Sequence, residues 1–302
     1  MIKRELIDYL SDKLSIKRKE LIEKDLVLHC LLNEIESYDY FKDNLVFKGG
    51  TCLIKCYFGY YRFSEDMDFS WINQKEFKEK SQKEIKRLLS VKIGKIMSIF
   101  GKAAAKLGID FKTEKGNKKY VEFGGSNKFA TFKLWYKSTV LNTESFIKIQ
   151  INFVELFKFQ FAELPVKSIV NNIDMKEFKF LFPEFDLKKI RIKAYDIKEI
   201  LIEKIRAILT RRGIKARDFI DVFFIIKNKN IDIKKLKNEI LAKIRFMLRY
   251  EKYIQNLKDF QLEKFVAGEE EKLLLKPIDK GFYEFMGDFR IFLAAIAEEI
   301  KP

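Results

Sequence analysis

The alternation of apolar and polar residues divides the chain into a helical start, a strand-rich middle and a long helical end. From residue 3 to residue 38 the apolar positions recur at helical spacing. In the stretch KRKELIEKDLVLHCLLNEIES they fall mainly on one stripe, formed by Leu21, Leu26, Leu28, Leu32 and Ile35. The only histidine, His29, lies inside this helix. We therefore expect it to be a packed residue and not a catalytic base.

A short strand, a turn and a second strand are predicted next. Val46 and Phe47 are strand-like, residues 49–51 read Gly-Gly-Thr and predict a turn, and a helix can begin at Cys52. The second strand, DMDFSW, alternates strictly between polar and apolar residues. Because side chains alternate across a strand, its polar residues share one face and its apolar residues the other.

Residues 74–107 predict one long helix with a strongly basic outer face. Four segments after it have the alternation and aromatic content of strands: IDFKTEK, KKYVEFGG, FATFKLWYK and SFIKIQINFVE. A further strand, KKIRIKAYD, ends at Asp196, and nearly everything after it reads as helix. The pattern predicts a mixed α/β domain over residues 1–195 and a helical domain over residues 196–302.

The net charge of the chain indicates which kinds of partner it can bind. The 302 residues contain 60 lysines and arginines against 44 acids, which gives a formal net charge of +16. Such an excess attracts polyanions, above all nucleic acid. A lysine-rich proteome from an AT-rich genome would produce the same balance, so charge alone leaves both interpretations open.

The sequence argues against a zinc site, a disulfide framework and a membrane location. Cys30, Cys52 and Cys56 are an odd number without paired metal-ligand spacing, which argues against a zinc site and a disulfide framework. The first residues are charged throughout, and no apolar run approaches the length of a membrane span. We therefore expect a cytoplasmic protein with no membrane partner.

Asp66 and Asp68 are the first candidates for chemistry. They lie two residues apart on one strand, so both carboxylates project into the same space. Two neighbouring carboxylates repel each other unless a cation lies between them, and Mg²⁺ commonly binds one or two carboxylates together with substrate phosphates. The Gly-Gly-Thr turn is not a Walker loop, because no Gly-Lys-Ser/Thr follows it. A solvated edge strand whose acids face water is the alternative.

A second polar constellation lies in the segment EILIEKIRAILTRRGIKARDFIDVFF. Glu199, Glu203 and Lys204 have helical spacing, and Asp218 and Asp221 share a face of the next helix. Ordinary surface ion pairs would explain this segment if it stood alone.

Together, KGGTCLIKCYFGYYRFSEDMDF and EILIEKIRAILTRRGIKARDFIDVFF resemble the AbiEii family of nucleotidyltransferase toxins from abortive-infection type toxin–antitoxin systems. That family has a Gly-Gly-Thr turn before an Arg-Phe-Ser-x-Asp-x-Asp-Phe strand. A Glu-x-x-x-x-Lys-Leu-x-Ala-Leu helix and an Arg-Asp-x-x-Asp helix follow in its second half. The segment KDLVLHCLLNEI is similar to the family's leading helix, so the resemblance covers most of residues 20–226.

The resemblance implies an α+β fold, in which a polymerase-β-like nucleotidyltransferase core (a mixed sheet with flanking helices) precedes an all-helical C-terminal domain. It also implies that Gly49, Gly50 and Thr51 bind the nucleotide phosphates and that Asp66 and Asp68 hold Mg²⁺.

Further site residues follow from the same resemblance. Lys204 would contact the triphosphate, and Asp218 or Asp221 would complete the site. Lys48 and Ser64 also occupy motif positions in the nucleotide-binding part. In the first half of the chain Lys48 is the one cation that the sequence places to balance a triphosphate.

One feature of the pattern stays open. Many polymerase-β-like enzymes use a third carboxylate on a later strand, and SFIKIQINFVE offers Gln150 and Asn152 on the relevant face. Glu155 is the nearest acid. Either two carboxylates suffice, helped by the second-half aspartates, or metal binding is weakened.

The implied activity is the magnesium-dependent transfer of nucleotides from an NTP to an RNA acceptor, expected to be a tRNA 3′ end. A cognate antitoxin encoded nearby is the expected protein partner. Two alternatives remain, namely a nucleic-acid- or partner-binding module with a degenerate site and an enzyme that nucleotidylates a protein.

Overall fold

The computed structural model describes residues 2–125, 127–185, 188–259, 273–275 and 277–300. The chain divides into two compact units. The first comprises Met1–Glu155 and Phe161–Tyr195, and the second comprises Leu156–Gln160 and Asp196–Pro302.

The first unit is an α+β structure around one mixed sheet. Its helices are α1 (Arg4–Leu14), α2 (Lys19–Glu36), α3 (Asp39–Asn44), α4 (Gly49–Cys52), α5 (Gln82–Leu107) and α6 (Met175–Leu181). Its strands are β1 (Leu45–Lys48), β2 (Asp66–Trp71), β3 (Val121–Gly124), β4 (Phe129–Lys137), β5 (Glu144–Asn152), β6 (Ala162–Pro165) and β7 (Arg191–Ala194). The α+β class predicted from the sequence is confirmed for this part of the protein.

The sheet has seven strands in the order β3-β4-β5-β2-β1-β7-β6. Strand β2 is central: it runs antiparallel to β1 and parallel to β5, and β1 runs parallel to β7. The strand with the two aspartates is therefore held on both sides by backbone hydrogen bonds, which fixes the direction of its side chains.

One face of the sheet forms the core, because the apolar residues of β2 and β4 point to that side. Phe69 packs edge-on against Phe41 of α3 with ring centroids 5.0 Å apart, and Phe132 packs against Phe100 of α5 at the same distance. All four rings are fully buried. Each contributes roughly 1.5–3 kcal/mol by burial, so this cluster anchors the sheet to its helices.

Helix α5 begins and ends at clear sequence signals. The Ser81 hydroxyl accepts from the backbone N–H of Glu84 while the Glu84 carboxylate accepts from the Ser81 backbone, which is a capping box. The helix ends at Gly108, whose left-handed backbone conformation suits a residue without a Cβ.

The helical turn after Gly49–Cys52 is braced by a buried charge cluster. Residues Leu53–Phe58 continue α4 as a π-helix. The Lys55 ammonium lies 2.8 Å from Asp25 Oδ1 and donates to the Tyr60 hydroxyl at 2.6 Å, and that hydroxyl donates to Asp25 Oδ2 at 2.8 Å. Since all polar atoms here have partners, the cluster holds the segment behind the Gly-Gly-Thr turn in one position.

His29 of α2 is a packed residue, as the sequence predicts. It is 4% exposed, and burial together with the nearby Lys55 charge lowers its pKa to about 3. It is therefore neutral at physiological pH and lies in the protein interior.

The described part of the second unit contains five α-helices. They are α7 (Ile197–Thr210), α8 (Ala216–Lys229), α9 (Lys237–Met247), α10 (Glu251–Lys258) and α11 (Gly281–Ile300). The all-helical character of residues 196–302 stays a prediction, because residues 260–272, 276 and 301–302 lie outside the described ones. Within the described ranges, no helix has the length and apolar character needed to cross a membrane.

Glu36, at the end of α2, gives a first testable prediction. Within the described residues neither of its buried carboxylate oxygens has a hydrogen-bond partner, and burial and the Glu163 charge raise its pKa to about 8. A carboxyl whose pKa is raised in the folded state costs stability as the pH rises from its ordinary range near 4.3 towards 8. We expect Glu36→Gln to raise the free energy of unfolding relative to wild type by roughly 2–4 kcal/mol at pH 8, and by little at pH 4.5.

Urea denaturation across this pH window measures the difference. Glu5→Gln is the matched control, because Glu5 is exposed. A Glu36→Gln effect that does not grow with pH would contradict the assignment of a neutral, buried carboxyl.

Candidate functional site

The Gly-Gly-Thr turn is built so that backbone and carboxylate approach closely. Gly49 has φ +78°, a conformation that L-residues rarely adopt, and a Cβ at this position would collide with Asp68 Oδ2. Glycine is therefore required at position 49 for two reasons. The arrangement places the Asp68 carboxylate directly against the backbone of the turn.

Gly50 leaves room for a buried guanidinium. A Cβ on Gly50 would lie 2.6 Å from Arg62 Nη2 and 3.1 Å from Ser64 Oγ. Arg62 is only 2% exposed, and its Nη1 donates to the Phe63 carbonyl at 2.7 Å. The turn therefore has a fixed positive charge behind it.

Thr51 and Ser64 connect the turn to the start of β2. The Thr51 hydroxyl donates to the carbonyl of Asp66 and lies 2.9 Å from Ser64 Oγ, which can donate to it in return. Thr51 is 1% exposed. Its hydroxyl acts within the protein to hold the turn against β2, so a contact of Thr51 with phosphate would come from its backbone.

Asp66 and Asp68 lie on the sheet face opposite to the core, and the strand register determines their neighbours. Asp68 is the cross-strand partner of Lys48, and Asp66 is that of Lys148. Lys148 Nζ lies 2.7 Å from Asp66 Oδ2, and both side chains are about one-third exposed, at 31% and 27%. The structure thus brings the two predicted metal ligands together on one accessible face.

Lys48 is linked to Glu155 at this end of the sheet. The Lys48 ammonium lies 3.4 Å from Glu155 Oε2, which also accepts from Asn152 Nδ2 at 2.9 Å. The backbone N–H of Glu155 donates to Gln74 Oε1 at 2.9 Å. Glu155 therefore lies close to the site, held by Lys48. Across the residues that the structure describes, no three His, Cys, Asp or Glu side chains converge to hold a metal.

Two cations besides Lys48 lie near the turn and the aspartates. Arg62 lies behind the turn, and the Lys148 ammonium contacts the Asp66 carboxylate. The signal for Arg62 was present in the Arg-Phe-Ser motif. Lys148 had no local signal, because its position depends on the parallel pairing of β5 with β2.

The second predicted constellation is a buried ion network within the helical unit. Lys204 Nζ lies 2.7 Å from Asp218 Oδ1 and 2.7 Å from Asp221 Oδ2, and Arg211 Nη1 lies 2.5 Å from Asp218 Oδ2. The side chains of Lys204, Asp218 and Asp221 are 12%, 3% and 0% exposed. Lys204, Asp218 and Asp221, which the resemblance assigns to one site, therefore contact one another, and the two carboxylates already balance the lysine charge.

Burial raises the pKa of Asp218, but the charges of Lys204 and Arg211 outweigh burial, so its pKa lies below its ordinary value. A carboxyl with a lowered pKa stabilises the fold above its ordinary range. We expect this contribution to be lost as the pH falls through the lowered pKa.

Glu199 of α7 forms a second buried network that sequence reasoning did not assign. Its Oε1 lies 2.7 Å from Lys243 Nζ, and its Oε2 accepts from the backbone N–H groups of Lys158 and Phe159, each at 2.8 Å. Glu199 is 0% exposed. These contacts join residues 156–160 to the helices of the second unit, so Glu199 has a structural role.

Two solved structures are similar to this chain at low identity. One is the crystal structure of JHP933 from Helicobacter pylori, with 15% identity, a TM-score of 0.41, and coverage of 100% of this chain and 95% of that one. The other is the crystal structure of a putative nucleotidyltransferase from H. pylori, with 15% identity, a TM-score of 0.42, and coverage of 99% and 98%. No curated protein matches the chain in sequence.

The family comparison covers most of the chain. Residues 30–298 match the family described as nucleotidyl transferase AbiEii toxin, type IV toxin–antitoxin system. The match includes the turn, the two aspartates of β2 and the ion network of the helical unit. The chain belongs to the AbiEii family of nucleotidyl transferase toxins.

Proposed function

We propose that this protein transfers a nucleotide from an NTP to an RNA acceptor, the 3′ end of a tRNA, in the cytoplasm where both substrates occur. Membership in the family implies a toxin-type nucleotidyltransferase with a nucleotide substrate and an antitoxin partner. The observation that carries the proposal is the pair Asp66 and Asp68 on one accessible sheet face, with Asp68 against the Gly49 backbone.

The donor set fits Mg²⁺. Two carboxylates on one face are what Mg²⁺ uses when substrate phosphates and water complete its coordination. The Asp66 carboxylate already attracts a positive charge, since Lys148 Nζ lies 2.7 Å from its Oδ2. When bound, the metal ion would neutralise charge that develops on the transferring phosphoryl group.

The chain's own residues supply binding and orientation. The backbone N–H groups of Gly49 and Gly50 would hold phosphate oxygens, and Ser64 lies beside them. Lys48 and Arg62 supply positive charge at the turn. Fixed charges of this kind stabilise a phosphoryl transition state without reorganisation during the reaction.

The roles of Lys204, Asp218 and Asp221 in catalysis remain a proposal taken from the family motif. Their pairing within the helical unit keeps the Lys204 ammonium in one place. A triphosphate contact by Lys204 would use an ammonium that is oriented before the nucleotide binds.

The net charge of +16 supports RNA as the acceptor, because lysines and arginines gain affinity for phosphates by releasing counterions. The test is to incubate the purified protein with Mg²⁺, total tRNA and each of the four NTPs labelled in the α-phosphate. We expect label on tRNA with at least one NTP. Label on protein would identify a protein-modifying enzyme instead, and no label on either would contradict the proposal.

A further inference from the structure

A half-buried aromatic pair lies on the sheet face that carries Asp66 and Asp68. Trp135 of β4 and Phe146 of β5 are direct cross-strand partners, and their ring centroids are 4.7 Å apart. Both rings are partly exposed, whereas the neighbouring residues Leu134, Tyr136 and Ile147 are buried. Many aromatic cross-strand pairs only stabilise a sheet, so a functional role for this pair must be inferred from its position.

The position is close to the two aspartates. Phe146 precedes Lys148 by two residues on β5, and Lys148 is the register partner of Asp66. Two residues along a strand span about 7 Å, which is a distance that neighbouring parts of one nucleic-acid strand can bridge. Along β5, the aromatic pair lies past the position opposite Asp66, the first residue of β2. Strand β1 ends at the same end of the sheet, and the Gly-Gly-Thr turn begins there.

The indole ring is held in a fixed orientation. Trp135 Nε1 donates to the carbonyl of Lys119 at 2.9 Å, and the backbone of Trp135 pairs with that of Asp110. The polar edge of the ring is thus satisfied by the protein, and the remaining exposed area of the ring is apolar. A rigid aromatic surface of this kind is suited to stack a flat ligand at low entropic cost.

We propose that Trp135 and Phe146 form a stacking site for an unpaired nucleobase of the nucleic-acid strand that accepts the nucleotide. The proposal rests on the proposed function, because it names where the acceptor strand lies relative to Asp66. Base–aromatic stacking is independent of base identity, so the site would position the end of a strand without reading its sequence.

We expect stacking, and not charge, to provide most of the binding affinity of this site. Four lysines lie around the rings or beside them, and each pairs with a carboxylate: Lys24 with Glu65, Lys119 with Asp110, Lys133 with Glu122 and Lys148 with Asp66. Three of these ammonium groups lie 5.3–5.9 Å from a ring centroid. Since their charges are already balanced, the rings supply the affinity for a base.

The chain contains two tryptophans, and the other one, Trp71, is 0% exposed. Trp135 fluorescence is therefore a direct probe. We expect single-stranded hexa-adenylate RNA, added without NTP or Mg²⁺, to quench the emission of the full-length protein. ATP alone, at the same nucleotide concentration, should quench it much less.

Three variants separate stacking from structural effects. Trp135→Phe keeps a ring, so it should keep RNA affinity and lose the quenching signal. Trp135→Leu and Phe146→Leu should each weaken RNA binding, measured by anisotropy of labelled hexa-adenylate, by roughly tenfold. Circular dichroism melting identifies any variant that fails to fold.

Undiminished RNA affinity in folded Trp135→Leu and Phe146→Leu would overturn the proposal, and so would quenching by ATP and not by RNA. Quenching by RNA in a protein that transfers no nucleotide would support the stacking site while contradicting the proposed transfer activity.

Discussion

Replacing Asp66 or Asp68 with asparagine is expected to abolish nucleotide transfer while the protein stays folded. Each substitution removes one negative charge from the metal-binding pair at almost constant side-chain volume. A metal ion at a transferring phosphoryl group is worth several kcal/mol of transition-state stabilisation, so we expect a loss on the order of a thousandfold or more. The measurement is the rate of label transfer from the preferred NTP to tRNA.

The structure explains why neither variant should unfold. Both carboxylates lie on the accessible face, while their neighbours Met67 and Phe69 supply the buried contacts of β2. Asp66→Asn removes only a partly exposed pair with Lys148, and such pairs contribute about 1 kcal/mol or less.

Asp43→Asn is the matched control, because Asp43 is exposed and lies outside the site. Expression of the wild-type protein without its antitoxin should slow cell growth, and the Asp66→Asn variant should not. Full transfer activity in both site variants would contradict the two-carboxylate assignment.

The local pattern of β2 predicted the faces of the strand. Strict alternation placed Met67, Phe69 and Trp71 on the buried side and the two aspartates together on the other. The same rule did not predict that Ser70 is fully buried. Its hydroxyl accepts from the Tyr195 hydroxyl at 2.8 Å, and that residue is 125 positions away.

The contacts at the site that the sequence did not predict depend on which distant strands pair with each other. Lys148 meets Asp66 because β5 runs parallel to β2, and Glu155, which follows a bend at residues 153–154 after β5, lies 3.4 Å from Lys48. Parallel pairing depends on a crossover and has no local signature, so neither contact follows from spacing. Helical spacing predicted that Asp218 and Asp221 share a face of α8. Their contact with Lys204 of α7 and the burial of all three side chains did not follow from spacing, because both depend on which helices pack against α7 and α8.

Replacing Lys204 with alanine is expected to have two separable effects. It removes the ammonium that lies 2.7 Å from both Asp218 and Asp221, whose side chains are almost completely buried. Removing one partner of a buried ion network typically costs about 3–5 kcal/mol, so the free energy of unfolding should fall by that amount. Lys204→Arg should recover only part of it, since the wider guanidinium does not match a site shaped for an ammonium. Urea denaturation followed by circular dichroism measures both variants.

The second effect, a loss of NTP binding, becomes visible once stability is restored. In the double variant Lys204→Met with Asp221→Asn, one positive and one negative charge are removed together, and Asp218 keeps its contact with Arg211 at 2.5 Å. We expect this variant to recover most of the lost stability, because a neutral pair of similar volume replaces the buried charges. If Lys204 contacts the triphosphate, the KM for NTP should remain raised by at least tenfold in the stable double variant, as for the loss of a charged hydrogen bond. Recovery of the wild-type KM together with stability would show that Lys204 acts only as the centre of a structural ion network.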